Sequence, residues 1–310
     1  MRRPGKALPA LALGLILLAG CTQAPPPAPV VSSTPATPTV TPKVDLKQAV
    51  VGVDTVAGGY NPHQIADQST VTTALASMML PSVFHSTADG VLRLDRSVML
   101  AAKVTSAAPF TVTYTLRKDA AWSDGVPIRA EDFSYLHDEM SSQTGVVDPA
   151  GYRLISGISA RQGGTVAVVR FSKPYPEWRS LFTDLLPAHL LKDAPGGWAG
   201  ALATGYPASG GPFALRSVDP VRGEIVLQRN DRYWAKPSVL DGITLLGSDP
   251  SGLARSLREG GDQLASVADS STSAAALQAL RGHGVAVRSV PRAAVAQVIL
   301  RSPELLLRKA

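Results

Sequence analysis

The sequence predicts an α/β body behind an N-terminal leader and a polar tether. Three observations carry that expectation. Phe110, Val112, Tyr114 and Leu116 alternate with Thr111, Thr113 and Thr115, which is the period of two of a half-buried strand. Phe133, Leu136 and Met140 follow at helical spacing. Strand-like and helix-like segments then continue in mixed order along the chain, as a layered body of both kinds requires. With 310 residues, 45% of them hydrophobic, there is apolar material for a sizeable core, and wholesale disorder is excluded. At about 100–200 residues per domain the length fits one or two domains.

Taken in order, the first segment is an address. Arg2, Arg3 and Lys6 precede an apolar run from Leu8 to Leu18, which ends in Leu18-Ala19-Gly20-Cys21. The run is short for a membrane span and has the tripartite form of a secretory signal. Cys21 is the only cysteine, so an intramolecular disulfide and a thiolate zinc site are both excluded. Its setting resembles the lipobox of bacterial lipoproteins, which implies cleavage after residue 20 and diacylation of Cys21. Cleavage would remove three cations and no acid, lowering the formal charge from +6 to +3. The remaining surplus is spread along the chain without a Lys/Arg cluster, so nucleic acid is not expected as a partner.

Thr22 to Lys43 holds seven of the 25 prolines and is otherwise rich in Thr, Ser and Ala. Such a segment buries little and tends to polyproline-like extension, and next to a lipid anchor it reads as a spacer spanning 21–47. The folded body is expected from residue 48. Ala49 to Val53 reads as a buried strand, and Trp122-Ser123-Asp124-Gly125 as a turn. Glu131 and Asp132 occupy the first turn of the helix carrying Phe133, where the dipole favours acids. Thr165–Phe171 and Glu224–Gln228 read as strands. Trp178, Leu181, Phe182 and Leu185 predict a further helix, ended by Pro187. Asp249-Pro250 supplies an N-cap and first helical residue for a helix carrying Leu253 and Leu257. Leu264–Val267 and Val285–Val290 read as strands around an Ala-rich helix near 274–280, and no internal repeat is visible.

Catalytic chemistry finds little support. No two of the five histidines have the HExxH spacing that places both on one helix face for zinc. A GxSxG nucleophile elbow is absent. Ala208-Ser209-Gly210-Gly211-Pro212 lacks the lysine and following helix of a phosphate loop and is expected to be a turn. A hydrolase would rest on scattered Ser, His and Asp residues with no nucleophile beside a base. No catalytic residue, metal ligand or cofactor is therefore assigned.

The stretch Tyr114 to Phe133, with Leu116-Arg117, Trp122, Asp124-Gly125-Val126-Pro127 and Ala130-Glu131-Asp132, resembles the signature of the family 5 extracytoplasmic solute-binding proteins, the peptide, dipeptide and nickel receptors of ABC importers. Asn61-Pro62-His63, Gly211-Pro212-Phe213 and Gln228 to Trp234 resemble further blocks of the same family, in the same order. In these blocks Trp122 and Trp234 read as large buried packing residues. Arg129 stands where the family usually has Thr or Ser capping the helix. A cap of that kind contributes about 1 kcal/mol, so the helix start is expected to be weaker or capped otherwise.

The resemblance implies a periplasmic-binding-protein-like type II fold. Such proteins are bilobed. The first lobe is expected over 48–292, with 293–310 as the start of a second lobe whose remainder, with the returning C-terminal segment, is missing. It further implies a non-enzymatic, lipid-anchored receptor on the extracytoplasmic face of the membrane. Its partners would be an ABC permease and a peptide or other small solute. Gly145 to Tyr152 and Leu181 to His189 resemble a mycobacterial lipoprotein branch of the family linked to phosphatidylinositol mannoside and lipoarabinomannan synthesis. A regulatory role in that synthesis is the alternative to import. Two short stretches are candidates for the face that meets solute: Tyr60 and Asn61, in the loop after the first strand, and Asp269 and Ser270, after a later one.

Overall fold

The computed structural model describes residues 47–288, apart from 55, 57, 88, 269–271 and 282–283. The leader, Cys21, the tether to residue 46, Asp269, Ser270, His283 and the segment 293–310 lie outside the described residues. Those described all fall in one unit that runs from Asp45.

The chain enters through β1 (Gln48–Val53) and, after a loop, α1 (Thr70–Met79), capped by Ser69, whose hydroxyl accepts from the Thr72 amide at 2.9 Å. β2 (Phe84–Ser86) and β3 (Leu92–Leu94) make a small antiparallel pair. β4 (Met99–Ala107) and β5 (Phe110–Leu116) then form a hairpin, followed by α2 (Ala130–Ser142), β6 (Ile155–Arg161) and β7 (Val166–Phe171). The four strands assemble in the order β4-β5-β7-β6, every neighbour antiparallel. β5 is the strand its alternation predicts. Val112, Tyr114 and Leu116 face the core, and Thr111, Thr113 and Thr115 face the other way. α2 closes the inner face of this sheet with Phe133, Leu136 and Met140, all buried.

The start of α2 is capped by Asp132 rather than by residue 129. Its Oδ2 accepts from the Arg129 amide at 2.9 Å, and its Oδ1 accepts from the Ala188 amide at 3.0 Å. One buried carboxylate thus fixes both the helix entry and the short α3 (Ala188–Leu191). Burial pushes its pKa up to about 6, against the pull of those two amides.

After α4 (Gly197–Ala201) come β8 (Phe213–Asp219), β9 (Glu224–Arg229), β10 (Gly242–Gly247), α5 (Pro250–Glu259), β11 (Leu264–Ser266) and α6 (Thr272–Gln278). The second sheet has the order β11-β1-β10-β9-β8. β1 lies between β10 and β11 and is parallel to both, which is why its sequence is a continuous apolar run instead of an alternation. α5 begins at Asp249, whose Oδ1 accepts from the Gly252 amide at 2.7 Å, with Pro250 in the first turn as expected. It carries the chain from β10 across β1 to β11. The crossing is close: a Cβ on Gly52 would stand 2.5 Å from both a Leu253 methyl and an Asp262 oxygen.

Three expectations are corrected. Trp178, Leu181, Phe182 and Leu185 are all buried but do not form a helix; only Trp178–Ser180 make a 3-10 turn. Phe182 and Asp184 take φ of +57° and +49°, and the backbone bonds outward, from the Val83 amide to the Phe182 carbonyl (3.0 Å) and from the Leu185 amide to the Pro81 carbonyl (2.7 Å). Tertiary bonds and an aromatic cluster win over helical spacing here. Trp122 is fully buried, but Trp234 is only half-buried, its indole N–H donating to the Ser97 carbonyl. Val285 makes an isolated bridge to Arg281 instead of a strand, and 289–290 lie outside the described residues.

Candidate functional site

In an open sheet with parallel strands, ligands are met at the carboxyl ends of the strands, where the connections leave in opposite directions. β1, β10 and β11 supply such a place, since the chain leaves β10 on one side of β1 and returns as β11 on the other. The residues that follow are tied together. The Ser248 amide donates to the Val53 carbonyl at 3.0 Å, and the Ala268 amide donates to Asp54 Oδ2 at 2.9 Å. Asp54 Oδ1 is shielded from water and has no hydrogen-bond partner among the described residues.

The loop after β1 forms the next layer. Gly59 and Tyr60 donate their amides to the Ala203 and Leu202 carbonyls at 3.2 and 3.1 Å, and Tyr206 Oη donates to the Tyr60 carbonyl at 2.8 Å. Asn61 Oδ1 accepts from the His63 amide at 3.0 Å, an Asx turn closed over Pro62. Asp67 Oδ2 accepts from the Asn61 amide at 3.1 Å. Tyr60 and Asn61 therefore lie together but buried, at 2% and 0% exposure, and their side chains present no surface. What the loop exposes is its rim, with Ile65 at 63%.

His63 is the pivot beneath that rim. Its ring stacks on Trp198, with centroids 6.0 Å apart and planes 3° apart, and its Nε2–H donates to the Asp184 carbonyl at 2.9 Å. Because a carbonyl only accepts, the proton sits on Nε2. Burial holds the His63 pKa down at about 4, so the ring is neutral near pH 7. The Gln64 amide, turned to satisfy both neighbours, donates to the Gly145 carbonyl at 3.1 Å and accepts from Trp198 Nε1 at 3.2 Å. Asp184 is half-buried, with Ser82 the hydrogen-bond partner of its carboxyl, and its desolvation raises its pKa to about 6. Burial likewise raises the Tyr60 and Tyr206 hydroxyls.

These groups set a pH dependence whose sign is fixed. Asp184 and Asp132 bind their protons more tightly folded than unfolded, so their contribution to stability falls as pH rises from about 4 to about 6 and is level above that. His63 acts oppositely, costing stability as pH drops from about 6.5 to about 4. Asp184→Asn keeps the backbone carbonyl that His63 uses, suits the left-handed backbone and removes the desolvated charge. It is expected to stabilise the protein by up to about 3 kcal/mol at pH 7, at about 1.4 kcal/mol per pKa unit. Urea melts check this: the gain should shrink toward zero at pH 4, and an equal gain at both pH values would exclude that charge as its source.

Sequence reasoning found the loop of Tyr60 and Asn61. It missed Asp54, His63 and Asp184. Asp54 was signalled only by a carboxylate directly after an apolar strand, and His63 only by the Asn-Pro-His turn. Asp184 had no local signal. Among the described residues no group of three or more His, Cys, Asp or Glu side chains is placed to hold a metal ion.

Strand ends gathered at a topological switch point are where open sheets of this kind meet ligands. The chain belongs to the bacterial extracellular solute-binding proteins, family 5: residues 97–299 match the family described as "Bacterial extracellular solute-binding proteins, family 5 Middle". It is 44% identical over 300 residues to the "Probable monoacyl phosphatidylinositol tetramannoside-binding protein LpqW" of Mycobacterium tuberculosis, a match covering 94% of this chain and 47% of that protein. It is 32% identical over 196 residues to the oligopeptide-binding protein OppA of Mycobacterium bovis, covering 61% and 33%. Among solved structures it resembles the periplasmic EDTA-binding protein EppA, with a TM-score of 0.67, 25% identity and coverage of 77% of this chain and 47% of that one. It also shares the fold of the oligopeptide-binding protein AppA from Bacillus subtilis, with a TM-score of 0.61 at 16% identity, covering 72% and 44%. The chain thus spans about half the length of LpqW and EppA. The family and the fold are those of binding receptors.

Proposed function

We propose that the chain is the solute-meeting first lobe, 48–292, of an extracytoplasmic receptor held to the membrane by a lipid on Cys21 and spaced from it by the Pro-rich tether. The solute is proposed to be a phosphorylated mannolipid headgroup, the class that the name of LpqW carries. The carrying observation is that the likeness to LpqW runs over 94% of the chain. The strand-end face supports it with Asp54, an acceptor suited to sugar hydroxyls. The loop of Tyr60 and Asn61 follows β1 beside that face, and Asp269 and Ser270, outside the described residues, are proposed to add further polar groups. The second reading is an oligopeptide receptor that hands its solute to an ABC permease. The 32% identity to OppA favours it.

Thermal melting of the purified chain separates the two. A soluble mannosylated inositol phosphate at about a hundredfold excess over Kd is expected to add about 2.7 kcal/mol of stability. For a chain of this size that is a rise in Tm of about 5–10 °C. Asp54→Ala should abolish the rise. A shift with short peptides alone would replace the first reading with the second.

A further inference from the structure

A depression of about 630 Å³ lies away from the strand ends, on the outer face of the sheet β4-β5-β7-β6. Its floor is a grid fixed by register. Thr113 pairs with Lys103 on one side and Val168 on the other, Val166 pairs with Thr115 and Arg161, and Thr111 pairs with Arg170. Directly paired residues project to one side, so Lys103, Arg161 and Arg170, dispersed in sequence, share this face. All three are exposed, and none is paired with a carboxylate among the described residues. The four strands contain no Asp or Glu at all.

We propose that this face docks on the surface of an anionic phospholipid bilayer. With strands about 4.8 Å apart and same-face neighbours about 6.8 Å apart, the Cα positions of the three cationic residues stand about 12–16 Å from one another. Cations dispersed in this way over a sheet face suit a plane of separate phosphates. Threonine hydroxyls between them, including the Thr105–Thr113 pair at 2.9 Å, can donate to headgroup oxygens that enter the depression. The grid carries no aromatic ring, so it offers neither base stacking for a nucleic acid nor an apolar wedge for insertion. The attachment is therefore electrostatic and sensitive to salt. It involves a different face from the strand ends and does not depend on the solute proposed above.

Vesicle co-sedimentation of the full chain tests it, with phosphatidylcholine alone against phosphatidylcholine mixed with phosphatidylglycerol. The triple variant Lys103→Gln, Arg161→Gln, Arg170→Gln is compared with a charge-matched one on other exposed positions, Lys236→Gln, Arg255→Gln, Arg258→Gln. All proteins share one N-terminus, so its own affinity for lipid cancels. The sheet-face triple is expected to lose about 100-fold in partitioning onto the anionic vesicles, from the typical contribution of three cations near such a surface. The charge-matched triple should keep the parent's binding. Arg161→Lys with Arg170→Lys should retain it too, and salt near 1 M, where the Debye length is about 3 Å, should remove it. Equal losses in the two triples would overturn the proposal in favour of net charge. Unchanged vesicle binding in the sheet-face triple, with loss of binding to a single-stranded oligonucleotide, would overturn it in favour of nucleic acid. Circular dichroism of each variant separates lost binding from lost fold.

Discussion

Gly211→Ala is expected to destabilise the protein by about 3 kcal/mol or more, the upper range for forcing volume into a filled core. The added Cβ would stand 2.2 Å from the Met78 carbonyl oxygen, 2.8 Å from its carbon and 2.9 Å from the Met79 Cα. All three are backbone atoms at the end of α1, so no side-chain rotation relieves the overlap. The loop has no room to retreat either. The Gly210 amide and Ser209 Oγ both donate to the Met79 carbonyl, at 2.8 and 2.9 Å, and Asn230 Nδ2 donates to the Gly211 carbonyl at 2.9 Å. Gly157→Ala is the matched control: a Cβ there meets nothing within 4 Å, and its cost should stay within about 0.5 kcal/mol. Denaturant melts of both check the pair. A Gly211→Ala cost below about 1 kcal/mol would mean that the loop moves aside despite those bonds.

Phe182→Ala is expected to cost about 3–5 kcal/mol. The ring is fully buried, with centroids 4.8 Å from Phe133, 5.3 Å from Tyr114 and 5.6 Å from Tyr152. It joins the strand β5, the helix α2 and the turn at Tyr152, whose hydroxyl accepts from the Phe182 amide at 2.8 Å. Its backbone φ of +57° adds a second, opposite test. A residue without Cβ is free of the left-handed penalty of about 1–2 kcal/mol, so Phe182→Gly should be no less stable than Phe182→Ala. If Gly proved clearly worse, the side chain would not be holding the backbone in a strained conformation.

The same segment shows where sequence stopped being legible. Trp178, Leu181, Phe182 and Leu185 sit at helical spacing because all four are core, and spacing alone does not distinguish a helix from a loop threaded through the core. β5 was readable because one face is buried and the other is threonine. β4 was not, since irregularities between Met99 and Ala101 and between Val104 and Ser106 break its alternation. β6 was missed because it is an edge strand with one fully buried residue, Ile155. The family blocks were legible as packing devices, and Gly211 and Trp122 act as such. The candidate site was legible only as far as its loop. Tyr60 and Asn61 stand there, but a polar pair in a turn looks the same in sequence whether it faces a solute or closes the turn. Asp54 acquires its place from Ala268, 214 residues away, and no local pattern encodes a contact of that range.

The position of β1 also has a consequence in time. It is made early, yet its neighbour β10 lies far downstream: the amide of Lys47, at the head of β1, bonds to Asp241 across 194 residues. At a synthesis rate of about 5–20 residues per second, the run Ala49-Val50-Val51-Gly52-Val53 therefore waits roughly 10–40 s before its first partner strand exists. Through that interval it is an apolar strand with both hydrogen-bonding edges bare, the form most prone to pair with a second nascent chain. A strand that ends up in the interior of the finished sheet is thus bare on both edges for longest in the newborn chain.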